Sequence, residues 1–178
     1  DQQSLQVLEA DEDTGRTEKA IEINDPYWVE IIPGTPQRWR DGWLTIQEHE
    51  QNRSLLFNGR PLSPPDQWVR SVIAADETRI LYTASVDPTV VDLWSHNGES
   101  TKCLTNASGV TQVQSSSSVT VLEQSSIERP AEATVSKGQT VSTVKDFSAT
   151  PLVTPQVRFH LLETSTPIPL CSFQQQRP

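Results

Sequence analysis

Short hydrophobic segments separated by polar turns recur along the whole chain. Four of them form strand–turn–strand units in which a polar residue followed by glycine marks the turn. Asn-Gly, which occurs in two of the four, is one of the strongest hairpin signals because a tight turn needs backbone in the left-handed region. The units are LQVLEADEDTGRTEKAIEI with Gly15, RSLLFNGRPLS with Gly59, VVDLWSHNGESTKCLT with Gly98, and EATVSKGQTVSTV with Gly138. Each unit therefore predicts a β-hairpin.

The four hairpins recur at a nearly constant distance. Their glycines are separated by 44, 39 and 40 residues, and further candidate strands precede the last three hairpins. A repeat of about 40 residues that holds up to four antiparallel strands has the size of one β-propeller blade. The sequence thus predicts an all-β fold, with about four antiparallel four-stranded blades of a partial propeller over residues 1–147. A β-sandwich is the competing architecture, although its strands need not recur on a fixed long period.

Composition and charge narrow the possible partners. The chain of 178 residues carries a net charge of −9, which disfavours binding to nucleic acid or to an anionic membrane surface. No apolar run approaches the roughly 18 residues that span a bilayer. Cys103 and Cys171 lie far apart in sequence, which favours two thiols in a reducing compartment, with a disulfide as the alternative. We therefore expect a cytoplasmic protein without nucleic-acid or membrane partners.

The sequence contains no recognisable catalytic or metal-binding pattern. No two glycines are four residues apart, so the Gly-x-Ser-x-Gly elbow of α/β-hydrolases is absent. His49, His96 and His160 lack partner motifs and are expected to be ordinary surface or edge histidines. Alternate residues of a strand face opposite sides, so the carboxylates flanking His49 cannot converge with it on one metal ion. We expect no catalytic residue, no metal and no cofactor in this chain.

One segment, NDPYWVEIIPGTPQRWRDGWL at residues 24–44, differs from the rest in composition. It contains three tryptophans, three prolines and a tyrosine within 21 residues. The favoured interpretation is that these aromatic side chains pack between neighbouring sheets. The alternative is a rim or channel segment that contacts a ligand, since propellers bind partners through loops on one face.

Three segments of the chain, in matching order, carry a resemblance to a known family. They are NDPYWVEIIPGTPQRWRDG, PPDQWVRSVIAADETRILYTASVDPTVVDLWSHNGESTKCLTNASGV and SATPLVTPQVRFHLLETSTPIPL. These resemble the later propeller blades of the dipeptidyl peptidase IV family of the prolyl oligopeptidase clan, in particular its actinobacterial-type members. The resemblance implies a serine exopeptidase that removes dipeptides, often after Pro or Ala. Residues 148–178 would then be the exit linker and first strands leading towards an α/β-hydrolase domain.

The same resemblance implies where the functional groups lie. The catalytic Ser, Asp and His would follow Pro178, and the acidic pair that binds the substrate amine would precede Asp1. In this family a later blade also contributes pocket side chains near a Trp-Val segment, and the matching positions here are Trp28, Glu30, Ile31 and Ile32. Glu30, Ile31 and Ile32 stand where some relatives have a basic or aromatic contact.

The resemblance also implies a role and a set of partners. The chain would be a non-catalytic propeller fragment that gates and orients peptide substrates. Its partners would be those peptides, the missing hydrolase domain, the remaining blades and, through open blade edges, a second copy. The alternative is a self-contained propeller or sandwich that serves as a protein-interaction module.

Overall fold

The regular structure of the chain is entirely β in the part that the structure describes. The structure, a computed structural model, describes residues 2–49, 52–105, 109–145, 156–162 and 168–174, with backbone alone for His49 and for the last two ranges. The strands are β1 (Ser4–Ala10), β2 (Thr17–Asn24), β3 (Gln37–Trp39), β4 (Gly42–His49), β5 (Asn52–Phe57), β6 (Arg60–Pro61), β7 (Trp68–Ala75), β8 (Ile80–Ser85), β9 (Asp92–His96), β10 (Thr101–Cys103), β11 (Val110–Ser115), β12 (Val119–Ser126), β13 (Arg129–Lys137), β14 (Thr140–Thr143), β15 (Gln156–Leu162) and β16 (Ile168–Gln174).

Twelve of these strands form three antiparallel sheets in which each strand pairs with its neighbour in sequence. We call β3–β6 the first blade, β7–β10 the second blade and β11–β14 the third blade. The hairpins β1–β2 and β15–β16 form two further sheets of two strands each. Consecutive four-stranded meanders are the repeating unit of a propeller. The all-β, partial-propeller prediction is confirmed, with three complete blades among the described residues.

The predicted glycine turns all lie between paired strands. Gly15 separates β1 from β2, while Gly59, Gly98 and Gly138 separate the third and fourth strands of the three blades. All four glycines have positive φ, as the hairpin prediction requires. The hairpin β1–β2 therefore corresponds in position to the last two strands of a blade.

The apolar core lies between the first two blades. Leu44, Leu55, Val69, Ile80 and Tyr82 are fully buried and belong to one hydrophobic cluster. Every residue of β8 is buried, which fits its place inside the second blade with strands on both sides. Burial of one such side chain contributes about 1.5–3 kcal/mol. No apolar residue of the third blade is among the buried core residues that the structure describes.

The turn between β3 and β4 joins the first blade to the second. Trp39 is buried, and its indole N–H donates to the backbone oxygen of Asp76 at 2.6 Å. The guanidinium of Arg40 stacks 4.2 Å from the Trp39 ring and donates to the backbone oxygens of Glu77 and Asn97. The first blade is thus hydrogen-bonded to the β7–β8 turn and to the β9–β10 turn of the second blade. For Trp39 the packing interpretation is confirmed.

The segment between β2 and β3 lies directly against the edge strand of the second blade. The backbone N–H of Val72 in β7 donates to the oxygen of Pro33 at 3.1 Å. Gly34 has φ of +82°, and a Cβ atom there would lie 1.9 Å from the Val72 oxygen. Only glycine allows this approach, which fixes the path of the chain just after Ile32.

His96 corrects one expectation from the sequence. It is buried at the end of β9, where its Nδ1 lies 2.9 Å from the hydroxyl of Thr101 on the paired strand β10. Burial, assisted by the positive charge of Arg40, lowers the pKa of His96. His96 is therefore a buried histidine that contacts the Thr101 hydroxyl of the neighbouring strand. The prediction of a surface or edge histidine is wrong for this residue.

Two other predictions concern the cysteines and the C-terminal region. Cys103 is a free, half-buried thiol that donates to the Thr105 oxygen at 2.8 Å, and burial raises its pKa. The side chain of Cys171 and the predicted boundary at residues 147 and 148 lie outside the described residues.

In the described part of the chain, no helix is long and apolar enough to cross a membrane.

Candidate functional site

A cleft of about 400 Å³ opens between the segment that follows β2 and the strands β4 and β5 of the first blade. We call it the Trp28 cleft. Its buried floor includes Ile32 and Ile46, which are 4% and 5% exposed. Around this floor stand two aromatic and four charged side chains: Tyr27, Trp28, Asp25, Glu30, Glu48 and Arg53.

The structure brings together three of the four residues that the resemblance pointed to. Trp28, Glu30 and Ile32 line the cleft, whereas Ile31 does not and is 70% exposed. Trp28 is 60% exposed and Tyr27 is 86% exposed. Packing between sheets, the favoured interpretation from the sequence, is therefore wrong for these two aromatic residues.

A turn capped by Asp25 explains why these aromatics stay on the surface. The Asp25 carboxylate accepts the backbone N–H groups of Tyr27 and Trp28 at 2.7 and 2.8 Å. These two bonds lower the pKa of Asp25. Backbone bonds to Gln2 and Gln3 hold the segment further, through the N–H of Val29 at 2.6 Å and that of Asp25 at 3.0 Å. The chain is thus bent away from the core before it returns at Ile32.

Arg53 is the electrostatic centre of the cleft. Its side chain is only 16% exposed, and its guanidinium forms an ion pair with Glu30 and lies 4.0 Å from the Glu48 carboxylate. The guanidinium carbon also lies 4.9 Å from the centre of the Trp68 ring, a cation–π distance. The cation of the cleft is therefore recessed and already held on two sides.

Glu48 and Arg53 were not predicted from the sequence. They are direct partners in the antiparallel register of β4 and β5. The short hairpin between the two strands could have indicated this pair, because residues at equal distances from a hairpin turn lie opposite each other. The contact of Arg53 with Glu30 has no comparable signal, since it joins a strand to a loop 23 residues away.

The lining of the cleft can bind a cationic group and an apolar group. Among the described lining residues, three carboxylates accompany one guanidinium, an excess of two negative charges. Exposed aromatic rings and carboxylates attract cations, while the isoleucine floor accommodates an apolar group. No group of three or more His, Cys, Asp or Glu residues in the described ranges could hold a metal ion.

Comparison with solved structures identifies the fold of the chain. No family model matches the chain, and no curated protein matches it. Among solved structures, the chain is similar to Porphyromonas gingivalis dipeptidyl peptidase 4, with a TM-score of 0.74 over 97% of its length and 12% identity. The fold is dipeptidyl-peptidase-4-like. The match covers 28% of that protein, so the chain spans little more than a quarter of its length.

Proposed function

We propose that this chain is the propeller portion of a dipeptidyl-peptidase-like serine exopeptidase of the actinobacterial type. It does no chemistry itself, and it admits and orients peptides for a hydrolase domain encoded elsewhere in the same reading frame. The observation that carries the proposal is the structural similarity over 97% of the chain. A cytoplasmic location remains a prediction, which the free thiol of Cys103 supports.

The Trp28 cleft supports a peptide-binding role. Its volume of about 400 Å³ lies within the range of about 300–1,000 Å³ typical of ligand pockets. Trp28 offers a rigid ring, Ile32 and Ile46 offer an apolar floor, and Glu30 offers a carboxylate. Such a combination binds short peptides through one anchored side chain and a few polar contacts.

The described residues also explain why the chain alone should lack activity. The Cys103 thiol donates to a backbone oxygen and has a raised pKa, the opposite of an activated thiolate. His96 is buried against Thr101 and so does not stand beside an exposed nucleophile. In the proposed protein, the nucleophile and base belong to the hydrolase domain.

The test is an activity assay with Gly-Pro and Ala-Pro chromogenic substrates. The protein encoded by the complete reading frame should release dipeptides, and the 178-residue chain should not. In the complete protein, Trp28→Ala should raise KM about three- to tenfold, the loss expected from one aromatic contact, and leave kcat within about twofold. Turnover by the rigorously purified chain would contradict the proposal. An inactive product of a frame without a Gly-x-Ser-x-Gly elbow would favour the interaction-module alternative.

A further inference from the structure

The charged groups of the Trp28 cleft are arranged by depth. Arg53 is 16% exposed, whereas Glu30 and Glu48 are 57% and 65% exposed. The carboxylates therefore stand at the mouth, with the guanidinium behind them. An entering group meets negative charge before it can reach the positive charge.

The recessed Arg53 is already paired with Glu30, whereas Glu48 is only weakly engaged. Its guanidinium is paired with Glu30 and lies over the Trp68 ring, so its positive charge is already partly balanced within the cleft. Glu48 lies 4.0 Å from the guanidinium, the outer limit of an ion pair, so its oxygens can accept a further donor. A ligand ammonium or guanidinium can pair with that carboxylate, whereas a ligand carboxylate is repelled by the two exposed carboxylates at the mouth.

The aromatic residues at the mouth favour the same kind of ligand. Trp28 and Tyr27 are 60% and 86% exposed, so both rings are accessible to a ligand. A lysine or arginine head is attracted to such faces, and its aliphatic stem can lie along the apolar floor at Ile32 and Ile46. The net charge of −9 on the chain adds attraction for basic peptides at low salt.

We propose that the Trp28 cleft selects peptides that carry a lysine or arginine side chain, bound between the Glu48 carboxylate and the Trp28 ring. This inference rests on the proposed function, because it names the class of peptide that the same cleft receives. The expected preference is about three- to thirtyfold over a neutral norleucine side chain, the range of one exposed ion pair combined with one cation–π contact.

The experiment compares four synthetic pentapeptides that differ in one feature each. Three are N-acetylated and C-amidated, and carry Lys, norleucine or Glu at the central position. The fourth carries norleucine and a free N-terminus. Binding to the 178-residue chain is measured by NMR titration, with the Trp28 indole N–H signal as the local probe. The Lys peptide should bind most tightly and the Glu peptide least, and the preference should shrink from about 50 mM to about 500 mM salt.

Matched variants locate the preference within the cleft. Glu48→Gln should remove most of the preference for Lys while leaving the affinity for the norleucine peptide within about twofold. Glu99→Gln removes the same charge in the exposed turn between β9 and β10 and should leave the preference unchanged. Trp28→Ala should weaken binding of both the Lys and the norleucine peptides. The amide spectrum of each variant verifies its fold.

The outcomes separate this inference from the proposed function. Equal binding of the Lys and norleucine peptides at Trp28 would overturn the inference and leave the proposed function standing. Preferential binding of the free-amine peptide over the Lys peptide would also overturn it, because the cleft would then bind an N-terminus. A Trp28 signal that moves with none of the peptides would contradict the proposed function itself.

Discussion

Trp28 and Trp39 show how the environment of single residues decides their role. Both lie in the same aromatic segment, yet Trp39 is 4% exposed and Trp28 is 60% exposed. The sequence does not distinguish them, because the deciding contacts come from elsewhere. Trp39 finds a carbonyl acceptor at Asp76, 37 residues away, and the turn capped by Asp25 holds Trp28 outward. Trp28, Glu30 and Ile32, to which the resemblance pointed, line one cleft, but the resemblance did not indicate Arg53.

This contrast gives a prediction at the residue scale. Trp39→Ala should lower the free energy of unfolding by about 3–5 kcal/mol, since it empties a core position and leaves the Asp76 oxygen without its donor. Trp28→Ala should change it by only about 0.5 kcal/mol, as is usual at exposed positions. Urea unfolding of the two variants, each the control for the other, measures both values. Losses of similar size would contradict the described burial.

A second prediction at this scale concerns His96 and pH. Its pKa in the folded protein is lowered by burial and by Arg40, so the unfolded chain takes up this proton more readily. Stability that depends on the neutral ring is therefore present above about pH 6.5, the ordinary histidine value, and is lost as the pH falls below it. The urea midpoint should fall between about pH 7.5 and 5.5. His96→Gln, which keeps a hydrogen-bonding group near Thr101, should flatten that change.

The turn carboxylates act in a different pH window and do not obscure this test. In four turn aspartates, hydrogen bonds from neighbouring backbone or hydroxyl groups lower the carboxyl pKa below the ordinary value of 3.8. These residues are Asp11, Asp25, Asp76 and Asp87. Their contribution to stability is present above that value and is lost only in stronger acid. An equal midpoint shift in wild type and His96→Gln would contradict the assignment to His96.

At the scale of elements, the glycine turns were predictable, whereas β3 and β11, the first strands of the first and third blades, were not. Each glycine turn supplies its own signal, because the conformation it needs is local. The strand β3 has only three residues and β11 has the polar sequence VTQVQS, so neither shows a convincing hydrophobic alternation. Both are held by pairing with a following strand, β4 or β12, which a local pattern does not encode. Strands without a hydrophobic pattern of their own, whose position is set by a neighbouring strand, are therefore not predictable from the sequence.

Two glycines with positive φ test how the elements are joined. Gly138→Ala should cost about 1–2 kcal/mol, because it introduces left-handed strain at a hairpin tip with no atom near the new Cβ. Gly34→Ala carries the same strain and also places its Cβ 1.9 Å from the Val72 oxygen. It should therefore destabilise the chain clearly more than Gly138→Ala in thermal or urea unfolding. Equal losses would contradict the close approach of this loop to β7.

At the scale of the whole molecule, the hairpin β1–β2 and the third blade leave apolar side chains exposed. From the sequence, the bare strands are expected around Leu5, Val7 and Leu8 at one end and around Val119, Val121 and Leu122 at the other. Leu8 is 55% exposed and Val121 38% exposed, whereas the other four are half-buried. Val141 and Val144, at 66% and 50%, extend the exposed apolar surface of the third blade.

We propose that the isolated chain self-associates through these faces, as a symmetric dimer, because association would bury their exposed apolar side chains. Light scattering should show a dimer whose fraction grows with concentration. Val141→Ser combined with Val144→Ser should shift it towards monomer. Val86→Ser, at a 55% exposed valine beyond β8 in the second blade, should not. A monomer throughout the micromolar-to-millimolar range would contradict this account.

We propose that these blades belong to a peptidase propeller and that the Trp28 cleft faces its catalytic domain. The most direct test is a cryo-electron-microscopy structure of the protein encoded by the complete reading frame. The account predicts that β3–β14 form three consecutive blades of one closed propeller. It also predicts that Trp28 and Glu48 border the cavity between that propeller and a hydrolase domain. A β-sandwich, or a propeller with the Trp28 cleft on its outer rim away from the catalytic serine, would contradict it.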